Sequence, residues 1–328
     1  MIYEQDSKGP FTAVMINISN WIINNYNIKE KAMSIFDIFK KKAKVEKKNN
    51  SELESVLLSL EKQEIVMEVD NNAENASPNA SKIGGKPWLP SEFEWPLFTD
   101  ANEAKTRPLS FLCQINVADV KKYDADGLLP DCGMLYFFYE CESFRWGFDP
   151  EDKGCARVFY FENTENFAPM ELPDGIAEEY IVPEMAVQFT ARKSYPGYEE
   201  LDIYSDIDCE WDDHDEILKK IGVDTELEHH KLLGYADIIQ SEMLSDCERV
   251  SRGLYCGNPE SYQNTPEDVE ASIQRSAKDW ILLLQLSTLT KDDWELMWGD
   301  CGMLYFYIKK QDLAEKRFEN AWFSLQCG

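Results

Sequence analysis

The heptapeptide DCGMLYF occurs twice in this chain, at Asp131–Phe137 and again at Asp300–Phe306. The strand that follows the first Asp-Cys-Gly is apolar on both alternating sides. Met134, Tyr136 and Phe138 fall on one, Leu135, Phe137 and Tyr139 on the other. Side chains of a strand alternate between its faces, so such a strand needs cover on both, inside a barrel, a roll or a layered sheet. Asp-Cys-Gly itself has turn chemistry, with Gly133 and Gly302 free to adopt unusual dihedrals.

The flanks recur as well. LSFLCQIN precedes the first copy and WILLLQLS the second, with Gln114 and Gln285 embedded at equivalent points; more weakly, Lys82-Ile83-Gly84-Gly85 matches Lys231-Leu232-Leu233-Gly234. These matches predict an internal duplication: two related β-rich units, about 51–195 and 225–328, packed together around an approximate two-fold axis within one domain spanning 51–328. The expected class is mainly β with flanking helices, a roll-like β-rich α+β fold. A duplicated catalytic site usually degenerates in one copy, whereas Asp131, Cys132 and Gly133 are retained intact as Asp300, Cys301 and Gly302. We therefore read these six residues, with Gln114 and Gln285, as structural markers. A buried amide must find hydrogen-bond partners, and the neighbouring backbone or the opposite glutamine can supply them.

Other elements follow from local signals. Ser51 stands three residues before Glu54, the capping-box spacing, and Leu53, Val56, Leu57 and Leu60 give one apolar helix face. KIGGKPWLPSEFEWP is too rich in Gly and Pro for regular helix and predicts a rigid, turning segment. Strands are expected at Leu109–Val117, Ala156–Phe161, Ala186–Thr190, Trp280–Leu286, Gly302–Ile308 and Ala321–Gln326, and helices at Asp212–Lys220 and Pro266–Ser276. Residues 1–50 read as a basic N-terminal extension with six lysines from Lys40 to Lys48, a composition suited to a poorly ordered lead-in or to peripheral contact with an anionic membrane surface.

The formal charge of −28 leaves no basic footprint for nucleic acid. Nine cysteines include no CxxC pair, most of them in apolar contexts such as FLCQI and DCGMLYF, where a thiol behaves as a small hydrophobe. With no signal peptide and no apolar run long enough for an integral membrane span, the reducing cytoplasm is the expected compartment. Three histidines leave little material for zinc sites, and the nucleotide, metalloprotease and serine-hydrolase signatures are absent, so no metal, cofactor or catalytic residue is assigned. The acidic stretch Ser205–Glu216 lacks the spacing of a calcium loop, and DADG at Asp124–Gly127 is only a fragment of one.

Six collinear blocks carry a family resemblance: SKIGGKPWLPSEFEWP, PLSFLCQINVADV, GLLPDCGMLYFFY, WGFDPEDKGCARVFYF, HKLLGYADIIQSEM and WILLLQL…WGDCGMLYFYI…FSLQC. Together they resemble the YwqG-like family of bacterial proteins, a domain of unknown function. The resemblance implies a mainly β, roll-like, internally repetitive fold and transfers no catalytic residue. Three functions remain open. The first is a non-enzymatic binding protein, immunity-like, whose acidic surface meets a basic protein partner. The second is a small-ligand-binding protein with a pocket between the halves, with Trp88, Trp95, Trp146 and Asp149 as candidate lining. The third is a Cys/His hydrolase using His214, His229 or His230.

Overall fold

The structure is a computed structural model and describes residues 50–71, 77–100, 103–223 and 229–328. The lysine-rich stretch 40–48 lies outside the described residues, and with it the question of membrane contact. Among the described residues no helix is long and apolar enough to cross a membrane.

Ten strands form one antiparallel sheet: β1 (Lys62–Asp70), β2 (Lys82–Ile83), β3 (Ser110–Asn116), β4 (Met134–Tyr139), β5 (Ala156–Phe161), β6 (Met185–Ser194), β7 (His230–Leu233), β8 (Trp280–Leu286), β9 (Met303–Lys309) and β10 (Trp322–Gln326). Their order across the sheet is β10-β9-β8-β7-β1-β6-β2-β3-β4-β5. Two four-strand meanders, β2–β5 and β7–β10, thus flank a central pair of long strands, β1 and β6. The central pair is crossed over, because β1 bonds to β7 and β6 bonds to β2. Exchanging β1 with β6, β2 with β7 and so on, then reading backwards, returns the same order.

The sheet curls into a near-barrel. Phe137 on β4 and Phe306 on β9, the last residues of the two heptapeptides, meet edge to face with ring centroids 5.2 Å apart. Those strands are near opposite ends of the sheet order, so only strong curvature can bring them together. Bulges supply part of that curvature. The ladder slips between Phe111 and Cys113 on β3 and between Leu282 and Leu284 on β8, in each case just ahead of the embedded glutamine. At the closure, Leu325 N–H of β10 donates to the Trp146 carbonyl at 3.1 Å and Trp322 Nε1 donates to the Gly147 carbonyl at 2.9 Å.

This geometry accounts for the two-faced strand. All six residues of β4 are buried. One side faces the barrel interior through Phe137, and the other lies under the Pro-rich segment, where Phe93 and Trp95 pack on Phe138 at 6.0 and 5.2 Å. Asp-Cys-Gly lies outside the sheet, and Cys132 and Cys301 are exposed rather than packed as small hydrophobes, because they stand in the turns before β4 and β9. Gly133 has φ +94°, and a Cβ there would overlap the Phe161 carbonyl oxygen, so only glycine fits the first turn.

Four helices of eight or more residues are described: α1 (Asn50–Ser59), α2 (Trp211–Lys220), α3 (Leu244–Ser251) and α4 (Glu267–Ala277). α1 begins before Ser51, which sits in its first turn instead of capping it. Leu53 and Leu57 of α1 bury against Ile217 and Leu218 of α2 in a small second core with Tyr195, Leu201 and Ile207, and Lys220 pairs with Glu54 at 2.5 Å. The long strand β1 is absent from the expectations above, and β6 extends well beyond the five residues expected.

Candidate functional site

Gln114 on β3 is fully buried. Its Oε1 accepts from the Trp88 backbone N–H at 2.8 Å, and its Nε2 donates to the carbonyls of Ala80 at 2.8 Å and Pro78 at 3.0 Å. The Tyr136 hydroxyl donates to the Trp88 carbonyl, and Lys82 pairs with Glu184 at 2.6 Å. A single amide therefore ties β3 to the chain on both sides of Lys82.

These bonds recur on the second meander, except that the place of the Pro78 carbonyl is taken by the Asp237 carboxylate, which accepts from Gln285 Nε2 at 2.6 Å. Gln285, also fully buried, accepts from the Asp237 N–H at 2.9 Å and donates to the His229 carbonyl at 2.9 Å. The Tyr305 hydroxyl donates to the Asp237 carbonyl at 2.6 Å, and Lys231 pairs with Glu64 at 3.0 Å. In both places the acceptor carbonyl stands two residues before the lysine, and the doubly held peptide stands six after it. Two left-handed residues follow each lysine closely, Gly84 and Gly85 in one, Leu233 and Gly234 in the other. Neither glutamine bonds to the other; each is satisfied within its own meander.

The side chains at these matched positions differ, and the difference concentrates charge on one side. Where the first clamp has Ala80 and Trp88, the second has His229 and Asp237. Lys231 Nζ lies 2.6 Å from Asp237 as well as 3.0 Å from Glu64. Arg192, directly opposite Glu64 in the β1–β6 ladder, donates to that carboxylate at 2.8 Å. His229 Nε2 is 3.2 Å from Glu64 and 2.8 Å from Arg192, and its Nδ1 is 3.5 Å from Asp237. His229 Nε2 therefore stands between a guanidinium donor and a carboxylate acceptor. Burial pushes the Glu64 carboxyl up, but the His229 hydrogen bond and the Lys231 and His229 charges outweigh it and bring it down to about 2.

A cleft of about 490 Å³ opens over this cluster, between the central strands, the turn Tyr195–Glu199, α2 and the loop after β7. Arg192, Lys231 and Asp237 are on its floor, Tyr235 and Ile238 on a wall, and Tyr198 and the 55% exposed Trp211 at its rim. His214 also lines it but is occupied structurally: its Nε2 bonds the Pro196 carbonyl at 3.1 Å, and burial lowers its pKa. His230 accepts from Ser287 N–H at 3.1 Å, and burial, then His229, brings its pKa down to about 4. No cysteine is among the described residues lining the cleft, and no group of three or more His, Cys, Asp or Glu among the described residues is placed to hold a metal ion.

Residues 81–327 match the family described as Domain of unknown function (DUF1963). The chain belongs to the DUF1963 family. No curated protein matches it. The matched span of the DUF1963 domain begins after β1, so Glu64 comes from outside it while the other four members of the cluster lie within.

None of the four sequence-predicted lining residues borders this cleft. Trp88 contributes its backbone to the Gln114 clamp; Trp95 donates its indole N–H to the Leu109 carbonyl at 2.9 Å and packs on Phe138. Trp146 seals the barrel closure with its carbonyl, and Asp149 accepts from Glu151 N–H at 2.9 Å to cap a short turn of helix. Asp124 likewise accepts two backbone N–H groups, from Leu128 and Leu129, as a turn former. The residues that sequence reasoning missed are Glu64, Arg192, Lys231 and Asp237, whose proximity depends on strand pairing across most of the chain. The available signal was the imperfect match of KIGGKPW to KLLGYAD, in which the divergent last position marks the site.

The Glu64 geometry carries a pH dependence. A carboxyl ionised more readily folded than unfolded stabilises fully above its ordinary value of 4.5 and loses that contribution as pH falls through about 2. Glu64→Gln is expected to lower unfolding free energy by about 3 kcal/mol at pH 7 and by progressively less between pH 4.5 and 2, measured by urea denaturation.

Proposed function

We propose that this DUF1963 protein is a non-enzymatic binding protein that holds a small ligand in the cleft beside Asp237, at the junction of two duplicated units. Within its family we read it as YwqG-like, on the six blocks quoted above. The matched clamps support the duplication: ten strands in a self-repeating order, a bulge before each glutamine, and a glutamine and a tyrosine in each that hold the backbone at matched positions. The nine free cysteines fit a reducing, cytoplasmic setting.

One observation carries the functional reading. The same clamp presents a bulky indole, Trp88, on one side and a short carboxylate, Asp237, on the other, and the open cleft lies on the carboxylate side. A cleft of 490 Å³ falls within the roughly 300–1,000 Å³ of small-molecule sites. Ligand-observed NMR of a metabolite library, run with the native protein and with Asp237→Trp, tests it. Compounds that bind the native protein alone are expected; a library whose every hit also binds Asp237→Trp unchanged rules the cleft out.

A second reading is favoured by the cleft's rim. Glu199–Glu216 contains ten Asp and Glu and no Lys or Arg, all but the buried Glu200 at least partly exposed, with Trp211 exposed within the stretch and Tyr198 beside it. Such a face suits a basic protein partner, as an immunity-like protein would need, with cations over the aromatic rings. Fluorescence anisotropy with a labelled Lys/Arg-rich peptide should show binding that weakens steeply with salt and at least about fivefold in Trp211→Ala. Salt-independent binding, or none, contradicts this reading.

A further inference from the structure

The cleft is out of keeping with the charge of the chain around it. The sequence has 33 Lys and Arg against 61 Asp and Glu, yet four cations and four carboxylates line the cleft. A balanced lining in a strongly acidic protein points to a ligand that is itself balanced.

The floor narrows the choice. Lys231 and Glu64 are sealed, with side chains 2% and 3% exposed, and they neutralise each other. The floor charges a ligand can reach are Arg192, 39% exposed, and Asp237, 29% exposed. The His229 ring lies beside both: its Nδ1 is 3.5 Å from Arg192 and 3.5 Å from Asp237, which keeps the two charges close together. Both retain bonding capacity. Arg192 uses Nε for Glu64 and one amino group for His229, out of five N–H donors. Asp237 accepts from Lys231 and Gln285, out of about four lone-pair sites. Beyond these charges the lining turns apolar at Leu218, Val223, Tyr235, Ile238 and Ile239.

A purely cationic ligand would set its charge against Arg192. A purely anionic one would face Asp237 within a protein of net charge −28. A group carrying both charges on neighbouring atoms satisfies both residues at once. We propose that the cleft binds a free α-amino acid with an apolar side chain, its carboxylate on Arg192, its ammonium on Asp237 and its side chain along Tyr235 and Ile238. A residue inside a peptide lacks both charges, so the site selects the free amino acid. This inference rests on the reading of the cleft as a ligand site.

The first clamp also supplies the control. Asp237→Trp places there the residue that the scaffold already carries at Trp88; it keeps the backbone bonds from Gln285 and Tyr305 and removes the carboxylate that accepts from Gln285 and Lys231. Isothermal titration of the full chain would use L-leucine and L-phenylalanine, then for each the amine lacking the carboxylate and the acid lacking the amine. The amino acids are expected to bind at least about tenfold more tightly than either analogue, the effect of one charge-assisted contact. Asp237→Asn should weaken amino-acid binding by at least about tenfold and leave the acid analogues unaffected, and Asp237→Trp should abolish binding. An amine that binds as tightly as its parent amino acid overturns the inference while leaving a ligand site in the cleft. Absence of heat from all twenty amino acids at about 10 mM also overturns it. Amino-acid binding that persists unchanged in Asp237→Trp overturns both the inference and the cleft reading.

Discussion

A glutamine amide with no access to water, set in an otherwise apolar strand, is the constraint around which this protein is organised. Leaving a buried amide group unpaired costs about 1–3 kcal/mol for each donor or acceptor, so Gln114 and Gln285 each require partners held in place. Those partners are backbone groups on either side of a lysine, joined at Gln285 by the Asp237 carboxylate, and holding them fixes the turn that leads from β2 or β7 toward the next layer. The tyrosine of each DCGMLYF motif closes the same loop from the neighbouring strand. Two left-handed residues in that turn, one of them Leu233, persist because the surrounding bonds over-determine the backbone.

From this constraint follow the cover on the outside of the barrel and the position of the site. The clamp holds the chain against the outer face of β4 and β9, which is why those strands can be apolar on both sides. It also presents one side chain per clamp to the space above. On the first meander that residue is Trp88; on the second it is Asp237, within reach of Lys231 and His229, and the crossed central strands bring in Glu64 and Arg192. Scaffold and site are therefore the same hydrogen-bonded unit, differing in what the held residue carries.

Much of the scaffold was legible in the sequence because it is written in local apolar patterns. The two-faced strand after Asp-Cys-Gly, the embedded glutamines and the KIGG and KLLG turns all correspond to observed elements. β1 was not legible: KQEIVMEVD interrupts its apolar run with Glu64 and Glu68, and Glu64 is tolerated inside only because Lys231, Arg192 and His229 surround it. The site was illegible for the same reason. Lys231, Asp237 and Arg192 look like ordinary solvated charges until the strand pairing places them together. Trp88 and Trp146, conspicuous in sequence, serve mainly through their backbones.

The central claim, that the two glutamine clamps are equivalent scaffold, is tested most directly by comparing the unfolding free energies of Gln114→Leu and Gln285→Leu. Each substitution keeps the volume roughly constant and orphans one N–H, one carbonyl and a third acceptor, the Pro78 carbonyl in one clamp and the Asp237 carboxylate in the other, at about 1–3 kcal/mol apiece. The account predicts a loss of at least about 3 kcal/mol for each, equal to within about 1 kcal/mol. A neutral effect at either position would contradict it.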